Sequence, residues 1–182
     1  MKSLMVIAFC AIMADGYAQT KFFTRSGKIS FFSRSLIENI EAVNKSVTCV
    51  MDISTGNIQS VLKMRGFSFR KSLMQDHFNE NYVESDKYPQ AEFKGKVDNN
   101  EQVNYAADGI YDAHVSGTLQ MHGQTNPVEA NGTISVSGAT IVIVCPFKIL
   151  LNDYKIDIPS LVKDNISNTI AVTVSFQLEP LK

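Results

Sequence analysis

Residues 111–122 read YDAHVSGTLQMH, and their side chains alternate strictly. Tyr111, Ala113, Val115, Gly117, Leu119 and Met121 are apolar or small, whereas Asp112, His114, Ser116, Thr118, Gln120 and His122 are polar. A period of two is that of a strand with one dry face and one wet face. The pattern recurs near the C-terminus, where Ile170, Val172, Val174, Phe176 and Leu178 interleave with Ala171, Thr173, Ser175 and Gln177. Strands with a single dry face cannot stand alone, because that face and the unpaired strand edges must be hidden by stacking or closure. This requirement limits the fold more than any feature of composition does.

Nine segments read as strands: 28–33, 36–43, 47–54, 57–64, 91–97, 110–121, 128–136, 140–147 and 169–178. Turn residues separate them, among them Thr55-Gly56-Asn57, Asp98-Asn99-Asn100 and Ser137-Gly138, while Asn126 and Pro127 supply turn chemistry after the His122-Gly123 step. One stretch departs from the pattern. In 70–83, RKSLMQDHFNENYV, the residues Leu73, Met74, His77 and Phe78 fall on one helical stripe, which predicts a helix of about three turns acting as a plug or lid across one end. Asp153, Pro159 and Asn165 mark 150–163 as a loop expected to cross the other rim. Barrel and sandwich both satisfy the alternation. Long strands joined mostly by hairpins favour an all-β antiparallel barrel of about eight strands, a size that can hold one small ligand.

Residues 1–18 carry Lys2, an apolar run from Leu4 to Met13 and Ala18 at a small-residue cleavage position, the layout of a secretory signal peptide. Ten apolar residues fall short of the roughly 20 that a spanning helix needs, and Phe9 rather than a small residue precedes Cys10, so no stable membrane anchor is expected. Residues 19–182 suffice for one domain without cross-links. The formal net charge is −1 with no basic block, which argues against nucleic acid. Cys49 shares an apolar face with Val47, Met51 and Ile53, so it reads as a small buried hydrophobe; a Cys49–Cys145 bridge is the alternative in a compartment that permits disulfides. Asn44, Asn131 and Asn165 each open an N-x-Ser/Thr triplet, to which no role is assigned.

Only His77, His114 and His122 could carry acid–base or metal chemistry, and His114 and His122 lie about 26 Å apart on a continuous strand. Asp76, Glu80, Glu84 and Asp86 look like a solvated face. No GxSxG, HExxH, P-loop or paired CxxC occurs, so no catalytic and no metal-binding residue is assigned. The inner faces instead gather Phe31, Met51, Leu62, Met64, Phe93, Leu119, Met121, Val174 and Phe176. Such walls suit a hydrocarbon, or the same side chains fill each other's space as core. If a hydrocarbon chain is bound, each five-carbon unit contributes about 3 kcal/mol gross at roughly 0.8 kcal/mol per methylene. Eight units would exceed the practical ceiling of about 20 kcal/mol, which leaves cavity length to set the preferred chain.

The segments SGTLQMHGQTNPV, SFRK and DHFNENYVESDKYPQAEFKG, in their order along the chain, resemble the YceI-like family of secreted bacterial proteins. The first is similar to its SGxLxxHGxTxPV signature, and KYPQAEFKG to its K-Y-P-x-A-x-F element. The helix region departs from the family, whose Arg-Asp pair and His-Leu step are replaced here by KSLMQDHF. The resemblance implies a lipocalin-like barrel around an apolar channel, non-catalytic binding of a long isoprenoid lipid of polyprenyl or quinone type, no required cofactor, and a periplasmic or secreted location. Combined with the alternation, it points to Phe31, Met51, Leu62, Met64, Met121, Val174 and Phe176 along the channel, with Leu73 and Phe78 of the helix at its end. A homodimer is compatible with the sequence. Two rival readings are an enzyme acting on a lipid or quinone through His122, and a filled barrel serving as a structural or partner-binding envelope protein.

Overall fold

A computed structural model describes residues 20–34, 39–159 and 166–181. The leader expected over 1–18, Asn165 and the first residues of the strand expected at 36–43 lie outside the described residues. Strands β1 (Lys21–Ser33), β2 (Ile40–Asp52), β3 (Asn57–Lys63) and β4 (Phe67–Phe69) come first. Helix α1 (Ser72–His77) runs directly into a π-helical turn, Phe78–Tyr82. Then follow β5 (Gln90–Val97), β6 (Gly109–Met121), β7 (Gln124–Ser137), β8 (Thr140–Leu150), a 3₁₀ turn at Leu151–Tyr154, and β9 (Thr169–Pro180). All pairings are antiparallel, in the order β1-β9-β8-β7-β6-β5-β3-β2, and β1 pairs with β2 to close eight strands into a barrel. The three-residue β4 continues the line of β3 along β2, after a 3₁₀ turn at Met64–Gly66.

Two strands are expected at 36–43 and 47–54, but residues 40–43 and 47–52 of these runs belong to the single strand β2. In β2 the buried set is Ala42 and Asn44, then Val47, Cys49 and Met51, so the phase slips by one residue at Lys45-Ser46. β1 slips in the same place, from Phe22 and Thr24 to Gly27, and the pairing passes from Thr24↔Cys49 through Gly27↔Val47 to Ile29↔Asn44. These are two adjacent β-bulges, each of which inserts one extra residue and adds local twist. Asn44 holds the slip: its Nδ2 donates to the Lys63 carbonyl at 2.9 Å and its Oδ1 accepts from the Ser46 N–H at 2.9 Å. The side chain is fully buried.

The hairpin turn after β6 is shorter than expected. His122 (φ 51°) and Gly123 (φ 70°) alone make it, with Met121 opposite Gln124. Left-handed backbone at both central residues is what a two-residue hairpin needs to match strand twist. Asn126 and Pro127 therefore lie inside β7. Pro127 is tolerated because the β7–β8 register runs only from Thr133↔Val144 to Ser137↔Thr140, so its missing donor falls where the two strands have diverged.

The segment after β8 does not cross the far rim. β8 ends at the same rim as the helix, and Leu151, Ile156 and Ile166 face the same interior space as Met74 and Phe78. Cys49 and Cys145 are both free and buried. Strands β1 and β9 stand between β2 and β8, three strand spacings or roughly 14 Å along the wall, too far for a bridge. Burial pushes the Cys49 thiol up to about 12 and raises that of Cys145 as well.

Removing the clamp at the bulge should be costly. Asn44→Ala leaves the Ser46 N–H and the Lys63 carbonyl without their partner, and is expected to lower the unfolding free energy by about 2 kcal/mol in urea titrations. A loss below about 0.5 kcal/mol, the range of neutral surface changes, would show that the bulge holds without it.

Candidate functional site

Along its axis the barrel is filled at one end and hollow at the other. Around the end that carries the β2–β3 and β7–β8 turns, Val47, Cys49, Met51, Val97, Ala113, Ile134, Ile141, Ile143 and Leu178 are at most 2% exposed. These side chains interdigitate as ordinary core. Towards the rim that carries the helix, inward positions such as Phe31, Leu119 and Ile149 pack on the core but remain only half-buried. They surround a chamber of about 340 Å³. A second space of about 80 Å³ lies deeper and shares Ile29, Leu62, Ala91, Leu119 and Phe147 with the first. The two spaces adjoin across these shared, apolar side chains, the deeper one being the smaller.

Among the described residues, neither space is lined by Lys, Arg, Asp or Glu. The polar side chains that the described residues place on the upper chamber are Ser33, His77 and Tyr82. Ser33 already accepts from the Ser167 N–H at 3.1 Å, which leaves His77 and Tyr82 as the polar groups on the helix side of the chamber. Burial raises the Tyr82 phenol above its ordinary value. Apolar walls of this kind favour hydrocarbon by transfer from water, at about 25 cal/mol per Å² of apolar surface.

The helix is fixed over the mouth by aromatic contacts. Phe78 stacks on Phe31, with centroids 5.6 Å apart and planes at 27°. It also meets Phe67 at 5.6 Å and Phe69 at 5.0 Å, and Phe31 meets both of these edge-on. Edge-to-face and offset-stacked rings add about 1 kcal/mol per pair beyond their buried area. The π turn closes with Val83 N–H donating to the Phe78 carbonyl at 2.9 Å, and it keeps Phe78, Tyr82 and Val83 all on the chamber.

Of the channel residues expected from sequence, Phe31, Leu62, Met64 and Met121 of the strands and Phe78 of the helix line the upper chamber. Val174 and Phe176 line the narrow space below it, together with Leu62. Met51 lies elsewhere, fully buried in the filled half. Leu73 points outward and is 63% exposed; the helical stripe that meets the chamber runs through Met74, Phe78 and Tyr82, one residue round from Leu73. Missed at the mouth were Ile149, Ile156, Ile166 and Ile170. Ile170 was legible as part of the last strand, whereas Ile156 and Ile166 sit in irregular segments where no periodicity marks them.

The three histidines do not meet. His77 is exposed at the rim. His114 lies outside the barrel, its Nδ1 2.6 Å from Asn131 Oδ1. His122 is buried in the hairpin turn, with Nδ1 2.8 Å from the Tyr154 carbonyl, Nε2 2.9 Å from Glu84 Oε2, and its ring edge-on to Tyr88 at 4.5 Å. The carbonyl can only accept, so Nδ1 carries a hydrogen and donates it to Tyr154, while Nε2 faces the Glu84 carboxyl group. Both nitrogens are thus engaged, and the residue is not part of either lining. His122 ties the β6–β7 turn to the segment after the helix and to the turn after β8. Asn126 Nδ2, donating to the Asp153 carbonyl at 2.6 Å, adds a second tie at the seam where β7 and β8 part. Among the described residues no group of three or more His, Cys, Asp or Glu could hold a metal ion.

A family model described as the YceI-like domain matches residues 17–178. Among solved structures, a polyisoprenoid binding domain from Saccharophagus degradans implicated in plant cell wall breakdown superposes with a TM-score of 0.77 at 17% identity, over 90% of this chain and 100% of that one. Burkholderia cenocepacia BcnA gives 0.69 at 16% identity, over 84% and 95%. A Campylobacter jejuni YCEI protein gives 0.63 at 15%, over 82% and 90%. No curated protein matches the chain.

A structural role for His122 makes a clear prediction. His122→Ala should cost about 2 kcal/mol of stability, because the Tyr154 carbonyl and Glu84 lose a buried partner. A variant with unchanged denaturation midpoint would return His122 to the pool of functional candidates.

Proposed function

The chain belongs to the YceI-like family, and on that premise we propose that it binds an apolar isoprenoid lipid, of polyprenyl or quinone type, in the hollow half of its barrel. It holds this lipid without covalent chemistry, as a carrier or storage protein. One observation carries the reading: a chamber of about 340 Å³ whose described walls are almost wholly aliphatic and aromatic side chains, with Ser33, His77 and Tyr82 as the polar exceptions. The volume lies within the usual range for small-molecule sites, about 300–1,000 Å³. The printed description of the Saccharophagus degradans domain as polyisoprenoid binding supports the same ligand class.

Phe31, Leu62, Met64, Phe78 and Met121 are the proposed wall contacts, with Val174 and Phe176 deeper. Each buried isoprene unit contributes about 3 kcal/mol gross, from which the cost of association, about 4 kcal/mol or more, must be subtracted. Two or three units therefore suffice for useful affinity. The proposed location is periplasmic or secreted, resting on the leader read over residues 1–18. The filled half of the barrel serves as the rigid base that keeps the other half from collapsing on an empty chamber.

Native mass spectrometry of the mature protein, purified from a periplasm without detergent and then extracted with organic solvent, tests this reading. A stoichiometric isoprenoid adduct is expected. A bare mass that stays bare after incubation with quinones and prenyl alcohols would replace this reading with a structural role.

A further inference from the structure

Between β7 and β8 the wall of the barrel is left unsealed beside the chamber. Their ladder runs from Ser137↔Thr140, which flank the Gly138-Ala139 turn, only as far as Thr133↔Val144, although β7 reaches back to Gln124 and β8 onward to Leu150. Residues that flank a two-residue hairpin turn exchange both backbone hydrogen bonds, and every second pair beyond them repeats the exchange. Continued in register, the next such pairs would be Asn131 with Pro146, Glu129 with Lys148 and Pro127 with Leu150. The first and the last contain a proline, whose nitrogen has no hydrogen to donate, so the ladder stops at a pair that lacks a donor and meets another such pair near the rim. Burial alternates without a slip along both strands, so no bulge accounts for the parting.

Both interior spaces reach this seam. Val128 and Ala130 of β7 and Cys145 and Phe147 of β8 line the deeper one, and Phe147 and Ile149 line the chamber. Where the ladder holds, the inward residues Ile134, Val136, Ile141 and Ile143 are buried; where it has parted, Val128, Ala130, Phe147 and Ile149 are half-buried. At the rim the two sides are rejoined by side chains, Asn126 Nδ2 donating to the Asp153 carbonyl at 2.6 Å and His122 Nδ1 to the Tyr154 carbonyl at 2.8 Å. The seam is therefore a slot closed at both ends, roughly 23 Å long from Asn126 to Thr133 at the usual rise per residue. We propose that this slot is the passage by which the lipid chain slides sideways into and out of the chamber while the helix stays in place. The role rests on the lipid-binding reading above. Widening the slot costs the Asn126 bond and no ladder pair, whereas lifting the helix parts Phe78 from the Phe31, Phe67 and Phe69 rings. A strand from another protein is a poor occupant, because a proline interrupts each of the two edges it would have to pair with.

The experiment seals the slot and times the release of a bound chain. Glu129→Cys and Lys148→Cys, at two exposed positions on its outer edges, are joined by a bismaleimide in the mature protein. The reference carries Lys148→Cys and Ala171→Cys, which face each other across the paired β8–β9 seam, joined by the same reagent. Each protein is loaded with the anthraniloyl ester of a three-unit prenyl alcohol, and its transfer to phosphatidylcholine vesicles is followed by stopped-flow fluorescence. The seal across β7 and β8 is expected to slow release by about tenfold or more, and loading by the same factor, so that affinity changes by less than about twofold; the reference should release as the unsubstituted protein does. Asn126→Ala, which needs no cross-link, should act the other way and speed release by about threefold or more. Release that is unchanged by the seal and by Asn126→Ala, or slowed equally in the reference, would overturn the passage and leave lipid binding intact. Failure of the ester to bind the unsubstituted protein would sink the passage and the lipid reading together.

Discussion

Closure of the sheet is the constraint on which the rest depends. Once β1 pairs with both β2 and β9, no strand among the eight has a free edge along its whole length, and every inward residue faces a space of fixed width. An eight-stranded barrel is just wide enough for side chains to fill or for one ligand to occupy. This chain does both, at different depths. Aliphatic residues fill the half that carries the β2–β3 and β7–β8 turns, and the other half is left open beneath the helix.

The alternation that announced strands survives almost everywhere in the structure, and β6, β8 and β9 follow their sequence pattern closely. It failed where a strand changes phase. β2 looked like two strands because its bulge moves the buried set from even to odd positions between Asn44 and Val47, and nothing in local composition separates a bulge from a turn. Pro127 misled for a related reason: it reads as a breaker, but the sheet has already opened beside it. The helix was legible as a helix. Three of its four stripe residues, Met74, His77 and Phe78, do line the chamber, and Leu73 alone turns outward, because the contacts of Phe78 with Phe31, Phe67 and Phe69 set the rotation of the helix.

The lining was legible in outline and not in depth. Period two tells which residues point inward, so Phe31, Leu62, Met64, Met121, Val174 and Phe176 all emerged from the sequence. It does not tell how far along the axis each one sits, and register alone separates Met51, in the filled half, from Met121 at the mouth. The glycines at 27, 95 and 117 were equally silent, since their meaning lies in the Phe93 and Phe176 rings bedded on them. His122 illustrates the opposite case. It stands in the most recognisable motif of the chain, and its surroundings are those of a fastener, holding together a hairpin turn, Glu84 and the Tyr154 carbonyl.

The claim at the centre of this account is that one barrel contains a solid half and a hollow half. Methyl NMR of Ile, Leu and Val residues during titration with a three-unit prenyl alcohol tests it most directly. Shifts concentrated on Leu62, Leu119, Ile149 and Ile170, with Ile134, Ile141 and Leu178 unmoved, are the predicted result. Comparable shifts at Ile134, Ile141 and Leu178, or shifts confined to the outer surface, would contradict it.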